Sequence, residues 1–520
     1  MECAHAILFM RRSRFVPICA LVCVLWAGVP ALAQDAGVRL DTSETVFSVM
    51  VALNACGYDE GLAQSMSVRE QIRSEVSQAS RDPEVASALR QICRFYADHQ
   101  QPDPSRNVAQ YVSLALNLGT PPAFTPKLKE SDLPPESIYV LGLVPLLQRY
   151  YVAAGLHGIW VRHEKDYEGL VEGYTARMRE QLSATDLYLR IPSTGYLGRE
   201  FVTFLEPLGS PDQANARNYG SNYYLVLSPA KDGALKFEQI RHTYLHYIFD
   251  AQLAKRAASM RKLEPLLEPV RSAPMDSSYK QDISLLATES LIKAVEARLK
   301  GGPKGAAALK EADVQVAMAE GFVLTRYFYD SLIQFEKQET GFRDYLPDIL
   351  YYINVPKEKK RASEVEFAKR AAPEVLQARR SREQTLSGAA EKQLANGNLE
   401  GAEGIAQEAL NTNPEDGNAA FVLAQVASFR GDMKGATSYF QQTLRNSKEP
   451  RLVAWSHIYL GRILDIQEER EAALEHYRAA LGTESIAPTA KAAAEQGIKK
   501  PYQVPRQSEK QEEKDKGSED

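Results

Sequence analysis

His242-Thr243-Tyr244-Leu245-His246 places two imidazoles one helical turn apart on a single face. Two such side chains can share one divalent metal ion. Hydrolytic chemistry would also require a proton acceptor for the metal-bound water. The residue after the first histidine is Thr243, whose hydroxyl is no general base near neutral pH. Glu238, a full turn before His242, is the nearest substitute, and a straight helix does not carry it to a metal-bound water. The plain reading of the pair is of two partly buried side chains hydrogen-bonded to nearby tyrosines such as Tyr223, Tyr244 and Tyr247.

The elements that must position these histidines follow from the hydrophobic period. From Ser43 to His99, from Val108 to Leu118 and from Tyr139 through Leu182, apolar residues recur at three- and four-residue steps, so the first 180 or so residues read as helical. The period then changes to short aromatic and β-branched runs, Asp186 to Ile191, Glu200 to Leu205 and Asn222 to Leu227, which predict a three-stranded sheet. Ser228-Pro229 ends the last run, Asp232-Gly233 makes a turn, and the helical period returns from Leu235 to about Ala258. A later helical stretch carries Thr288-Glu289-Ser290-Leu291-Ile292-Lys293-Ala294, with a second acid at Glu296.

A strand leading into a helix with paired histidines, followed by a helix bearing glutamate, resembles the zincin metallopeptidases of the glutamate branch over residues 40 to 345. The resemblance implies zinc held by His242, His246 and Glu289, with Thr243 where the family places its catalytic glutamate. It is similar to secreted bacterial zincin-like proteins that have lost that base. An α+β domain over residues 34–360 without peptidase activity is therefore expected. The alternative is an active zinc-dependent metallopeptidase with its base supplied from elsewhere.

Beyond a Pro- and charge-rich stretch near residue 360, a connecting helix is expected over 361–382 and self-similarity begins. Gly397-Asn398, Ala402, Ala406 and Ala409 recur as Gly431-Asp432, Ala436, Phe440 and Thr443, a period of 34 residues. A third copy has Gly461, Ala473, Tyr477 and Ala480. Residues 383–485 thus resemble about three tetratricopeptide repeats. Small residues fit where paired helices cross, and larger ones fill the seams. The resemblance implies an α-solenoid with a groove for a protein or peptide partner, which in the metallopeptidase alternative would recruit substrate. The plain reading is a helical cap on the front domain. Residues 486–520, rich in Lys, Glu, Asp, Ser and Gln, are expected to be disordered. The fold class is mainly α with a small β-sheet.

Compartment is read from the start of the chain. Arg11, Arg12 and Arg14 precede an apolar run from Phe15 to Val29 and then Pro30-Ala31-Leu32-Ala33, the pattern of a signal peptide cleaved after Ala33. A periplasmic or secreted protein, with no stable membrane insertion after cleavage, is expected. In such an oxidising setting Cys56 and Cys93 are either a disulfide or two buried thiols. The formal charge of -5 arises from 62 basic and 67 acidic residues interspersed along the chain, which argues against a nucleic-acid partner. No G-x-S-x-G elbow, phosphate-binding glycine loop or C-x-x-C pair is present, so serine-hydrolase, nucleotide and redox readings lack their marks.

Overall fold

The computed structural model describes residues 38–101, 104–191, 199–219, 222–301, 307–369, 386–483 and 486–503. The expected signal peptide, residues 1–33, lies outside them. Among the described residues no helix is long and apolar enough to cross a membrane.

A four-stranded sheet divides two hydrophobic cores. Its strands are β1 (Val38–Asp41), β2 (Phe201–Leu205), β3 (Ala214–Tyr219) and β4 (Asn222–Leu227), in the order β1-β2-β4-β3. β1 and β4 run parallel to β2, while β3 is antiparallel to β4 at the edge. Because side chains alternate across a pleated strand, Phe201, Leu205, Tyr223, Leu225 and Leu227 face one core. Val226 belongs to the other, with Phe204 and Tyr224 packed against it.

The second core is helical. Its central helix, Glu44–Ala55, starts at Ser43, whose hydroxyl accepts from the Val46 N–H, and is buried from Thr45 through Asn54. Cys56 at its C-terminal end is bonded to Cys93 in Pro83–Asp98, which settles the cysteines as a disulfide. The first core holds the helices Phe237–Ala254 and Ile283–Leu299, both buried over most of their circumference and therefore interior.

The expected three-stranded sheet is corrected at one strand. Asp186 to Leu189 are the last turn of the long helix Leu156–Leu189, which ends where Arg190 turns left-handed at φ 50°. Leu182, Asp186 and Leu189 keep the helical spacing of buried positions while Leu187 is 80% exposed, so the apparent alternation had no second face to bury. Conversely, β1 and β3 carry weak strand signals. β3 reads Ala-Asn-Ala-Arg-Asn-Tyr, small and amide residues that pair because β4 lies antiparallel beside them.

C-terminal to the two cores stand paired helices: Leu386–Ala395 with Leu399–Thr412, Gly417–Phe429 with Met433–Asn446, and Pro450–Ile466 with Arg470–Leu481. The second helices of the first two pairs begin and end 34 positions apart, capped by Asn398 and Asp432 after left-handed Gly397 and Gly431. Two expectations fail at the ends of this region. Over residues 364–369 the connecting helix is absent, because Val365 and Phe367 pack on the first core and the Ala368 N–H donates to the Ala319 carbonyl; residues 370–385 lie outside the description. The stretch expected to be disordered from 486 contains the helix Pro488–Lys499. Its Ala490, Ala494 and Gly497 form a small-residue face that packs on Tyr477, which the charge-rich composition further on concealed. Residues 504–520 lie outside the description.

Candidate metal centre

Both histidines sit on Phe237–Ala254, and the helix Ile283–Leu299 crosses beside it. The side chain of Asp282 caps the latter by accepting from the Ser284 and Leu285 N–H groups, which fixes where Glu289 emerges. His242, His246 and Glu289 are 7%, 6% and 1% exposed. Glu289 Oε2 lies 3.6 Å from His242 Nε2 and 3.4 Å from His246 Nε2. Neither contact has hydrogen-bond geometry, and these same three atoms are buried without a hydrogen-bond partner. One potential ligand atom from each residue lies within 4.8 Å of the others. Ligands about 2.05 Å from a tetrahedral zinc would stand roughly 3.3 Å apart, so the donor set fits such an ion.

The outer nitrogens are also held. His242 Nδ1 is 3.1 Å from Glu296 Oε1, and His246 Nδ1 is 3.0 Å from Asp250 Oδ1. Asp250 in turn accepts from the Tyr223 hydroxyl of β4 at 2.8 Å. A carboxylate behind each imidazole directs its Nδ1 proton backward and leaves Nε2 as the donor toward the centre. The other carboxylate oxygen of Glu289 lies 3.8 Å from the Lys293 ammonium, which is 3.2 Å from Glu320.

Burial would push the His246 imidazole down, but Asp250 and then Glu289 outweigh it and hold it up at about 10. Burial would raise Glu289, yet the His242 and His246 imidazoles and Lys293 hold its carboxyl down at about 2. A bound cation would take over the role of those protons, so metal and proton compete for the same lone pairs.

Compared with protein-family models, curated proteins and solved structures, the chain matches none of them.

His242, His246 and Glu289 are brought together; Thr243 and Glu238 are not part of the cluster in the same sense. Thr243 is buried within the helix, 1% exposed, and supplies no carboxylate. Glu238 is exposed at the helix start. The acids nearest the centre are engaged: Glu296 and Asp250 with imidazoles, Glu320 with Lys293. Asp250 was not singled out in the sequence, although it stands four residues after His246 on the same helical face. Tyr223, Lys293 and Glu320 reach the site through tertiary packing. The other described front-domain histidines have ordinary partners, His163 between Glu75 and Asp166, His157 on Glu44 and His99 on the Phe95 carbonyl.

Proposed function

We propose that this chain is an exported interaction protein. Its zincin-like front domain binds zinc through His242, His246 and Glu289 without cleaving peptides, and its tetratricopeptide-type array engages a protein partner. The observation that carries the metal reading is the convergence of three buried ligand atoms that have no hydrogen-bond partner, each imidazole backed by a carboxylate. Absence of proteolysis is supported by Thr243 at the base position and by the engagement of every nearby carboxylate described above. A metal with three protein ligands keeps a fourth position for water, but turning that water into a nucleophile needs a proton acceptor placed against it.

The interaction reading is supported by the 34-residue recurrence of capped helices and by small residues at the crossings, Ala402, Ala406, Ala436 and Ala473, each fully buried. Export is supported by the arginine-led leader pattern and by the Cys56–Cys93 disulfide, a bond that persists in oxidising compartments. The test is to measure zinc in the purified chain and to challenge it with unfolded casein with and without chelator. One zinc per chain and no cleavage is the expected result. Chelator-sensitive cleavage would instead make it a metallopeptidase, and no zinc at all would return the histidines to ordinary packing.

A further inference from the structure

After Pro488–Lys499 the Lys500 N–H closes the helix on the Gln496 carbonyl, and Pro501 prevents its continuation. The chain then turns back onto Pro450–Ile466. There the Tyr502 N–H donates to Asp465 Oδ2 at 2.8 Å, and the Tyr502 ring lies 4.9 Å from the Arg462 guanidinium. Arg462 also stands over Tyr459 at 5.4 Å and Trp455 at 5.9 Å. Trp455, Tyr459 and Arg462 are spaced at four and three residues, so they form one stripe along the helix.

This surface is built rather than accidental. The Asp465 side chain is fully buried and is held by Arg470 on one oxygen and by the Tyr477 hydroxyl on the other, leaving room for one further donor from an incoming backbone. Tyr459 is fixed by stacking on Phe440 at 5.0 Å. A rigid aromatic and guanidinium platform beside a preset carboxylate acceptor suits an extended peptide: an aromatic side chain on the cation, its backbone N–H on the carboxylate.

We propose that this stripe is the recognition surface of the array for an extended peptide segment bearing an aromatic side chain, and that the chain's own Tyr502 occupies it until a partner segment of the same chemistry displaces it. The inference rests on the reading of the array as an interaction module and adds to it the ligand class and a self-occupied state. An intramolecular occupant raises the concentration of free ligand needed for binding, because the competent state is only a fraction of the population.

The experiment uses a fluorescently labelled peptide of residues 499–506, added to the full chain and to its Tyr502→Ala variant. The variant is expected to bind the peptide at least tenfold more tightly than the unchanged chain. Arg462→Ala added to Tyr502→Ala is expected to abolish binding. Arg462→Lys keeps the charge but loses the planar stacking, and is expected to weaken it. Unchanged helical circular dichroism would show that these variants fold. Equal binding to both chains, no binding to Tyr502→Ala, or indifference to Arg462 would overturn the proposal. A defined partner captured equally well by the full chain with and without Arg462→Ala would overturn this surface while leaving the interaction reading intact.

Discussion

Among the described residues two histidine pairs have nearly the same ring spacing and opposite surroundings. Centroids lie 5.1 Å apart for His242 and His246 and 5.2 Å apart for His457 and His476. In the front domain the two imidazoles come from one helix and turn their Nε2 atoms toward Glu289, with Asp250 and Glu296 behind. In the array they come from neighbouring helices and face each other, Nδ1 to Nδ1 at 2.9 Å. One ring there donates and the other accepts, which leaves no room for a proton on both facing nitrogens and so favours the neutral rings. Burial, then His476, pushes His457 down to about 4, and burial lowers His476 too, whereas His246 is held up at about 10. Proximity of imidazoles is therefore not enough for a candidate metal site; the carboxylates around them set the two pairs apart.

The same contrast separates the regions as a whole, and substitutions probe it. The largest effect is expected at the disulfide. Cys56 and Cys93 are 37 residues apart in sequence, and in the loop-entropy account their bond stabilises the front domain by about 4 kcal/mol. Cys56→Ser with Cys93→Ser should lower the unfolding midpoint of that domain by a corresponding amount in denaturant. The helical signal of the array should persist, because stacked pairs depend on nearest neighbours. Simultaneous loss of both signals would show that the regions do not differ in this way.

Next comes Glu206, buried after β2 and accepting from the Tyr167 hydroxyl and the Leu208 N–H. Burial pushes its carboxyl up to about 7, only partly offset by Leu208, Tyr167 and Arg69. The folded chain therefore binds more protons than the unfolded chain between 4.5 and about 7, and stability falls as pH rises through that window. The fall is on the order of 3 kcal/mol. Glu206→Gln should flatten it, read as denaturant midpoints at about pH 4 and pH 8; a slope equal to that of the unchanged chain would remove Glu206 as its source. At the candidate centre, Asp250→Asn leaves the ligands in place but weakens the hold on His246, and a loss of roughly 10- to 100-fold in zinc affinity is expected by competition titration. His476→Gln is expected to cost about 1 kcal/mol or less, the worth of one hydrogen bond, with zinc content unchanged.

How much of this was legible in the sequence follows the same division. Array positions such as Ala402, Ala436, Phe440 and Tyr477 repeat locally, so period alone located them, and the Asn398 and Asp432 caps lie at matching places. His242 and His246 were legible because one helix carries both. Glu289 came only through family resemblance, since 43 residues and a tertiary crossing separate it from His246. The roles of Asp250, Tyr223 and Lys293 depend on which helix faces the sheet, which no local pattern encodes. The strand at 186–191 failed because Asp186, Tyr188 and Arg190 alternate with Leu187, Leu189 and Ile191 where a helix ends. The helix at 488–499 was hidden because alanine and glycine faces register only against a partner such as Tyr477.

Whether His242, His246 and Glu289 form one metal centre can be read from the ion's own surroundings. The most direct measurement is the zinc-edge X-ray absorption spectrum of the zinc-loaded chain after dialysis. Two imidazole nitrogens and carboxylate or water oxygen at about 2.0–2.2 Å are predicted, with one imidazole lost from the shell in His246→Ala. A shell of oxygen alone, or an unaltered spectrum in that variant, would contradict such a centre.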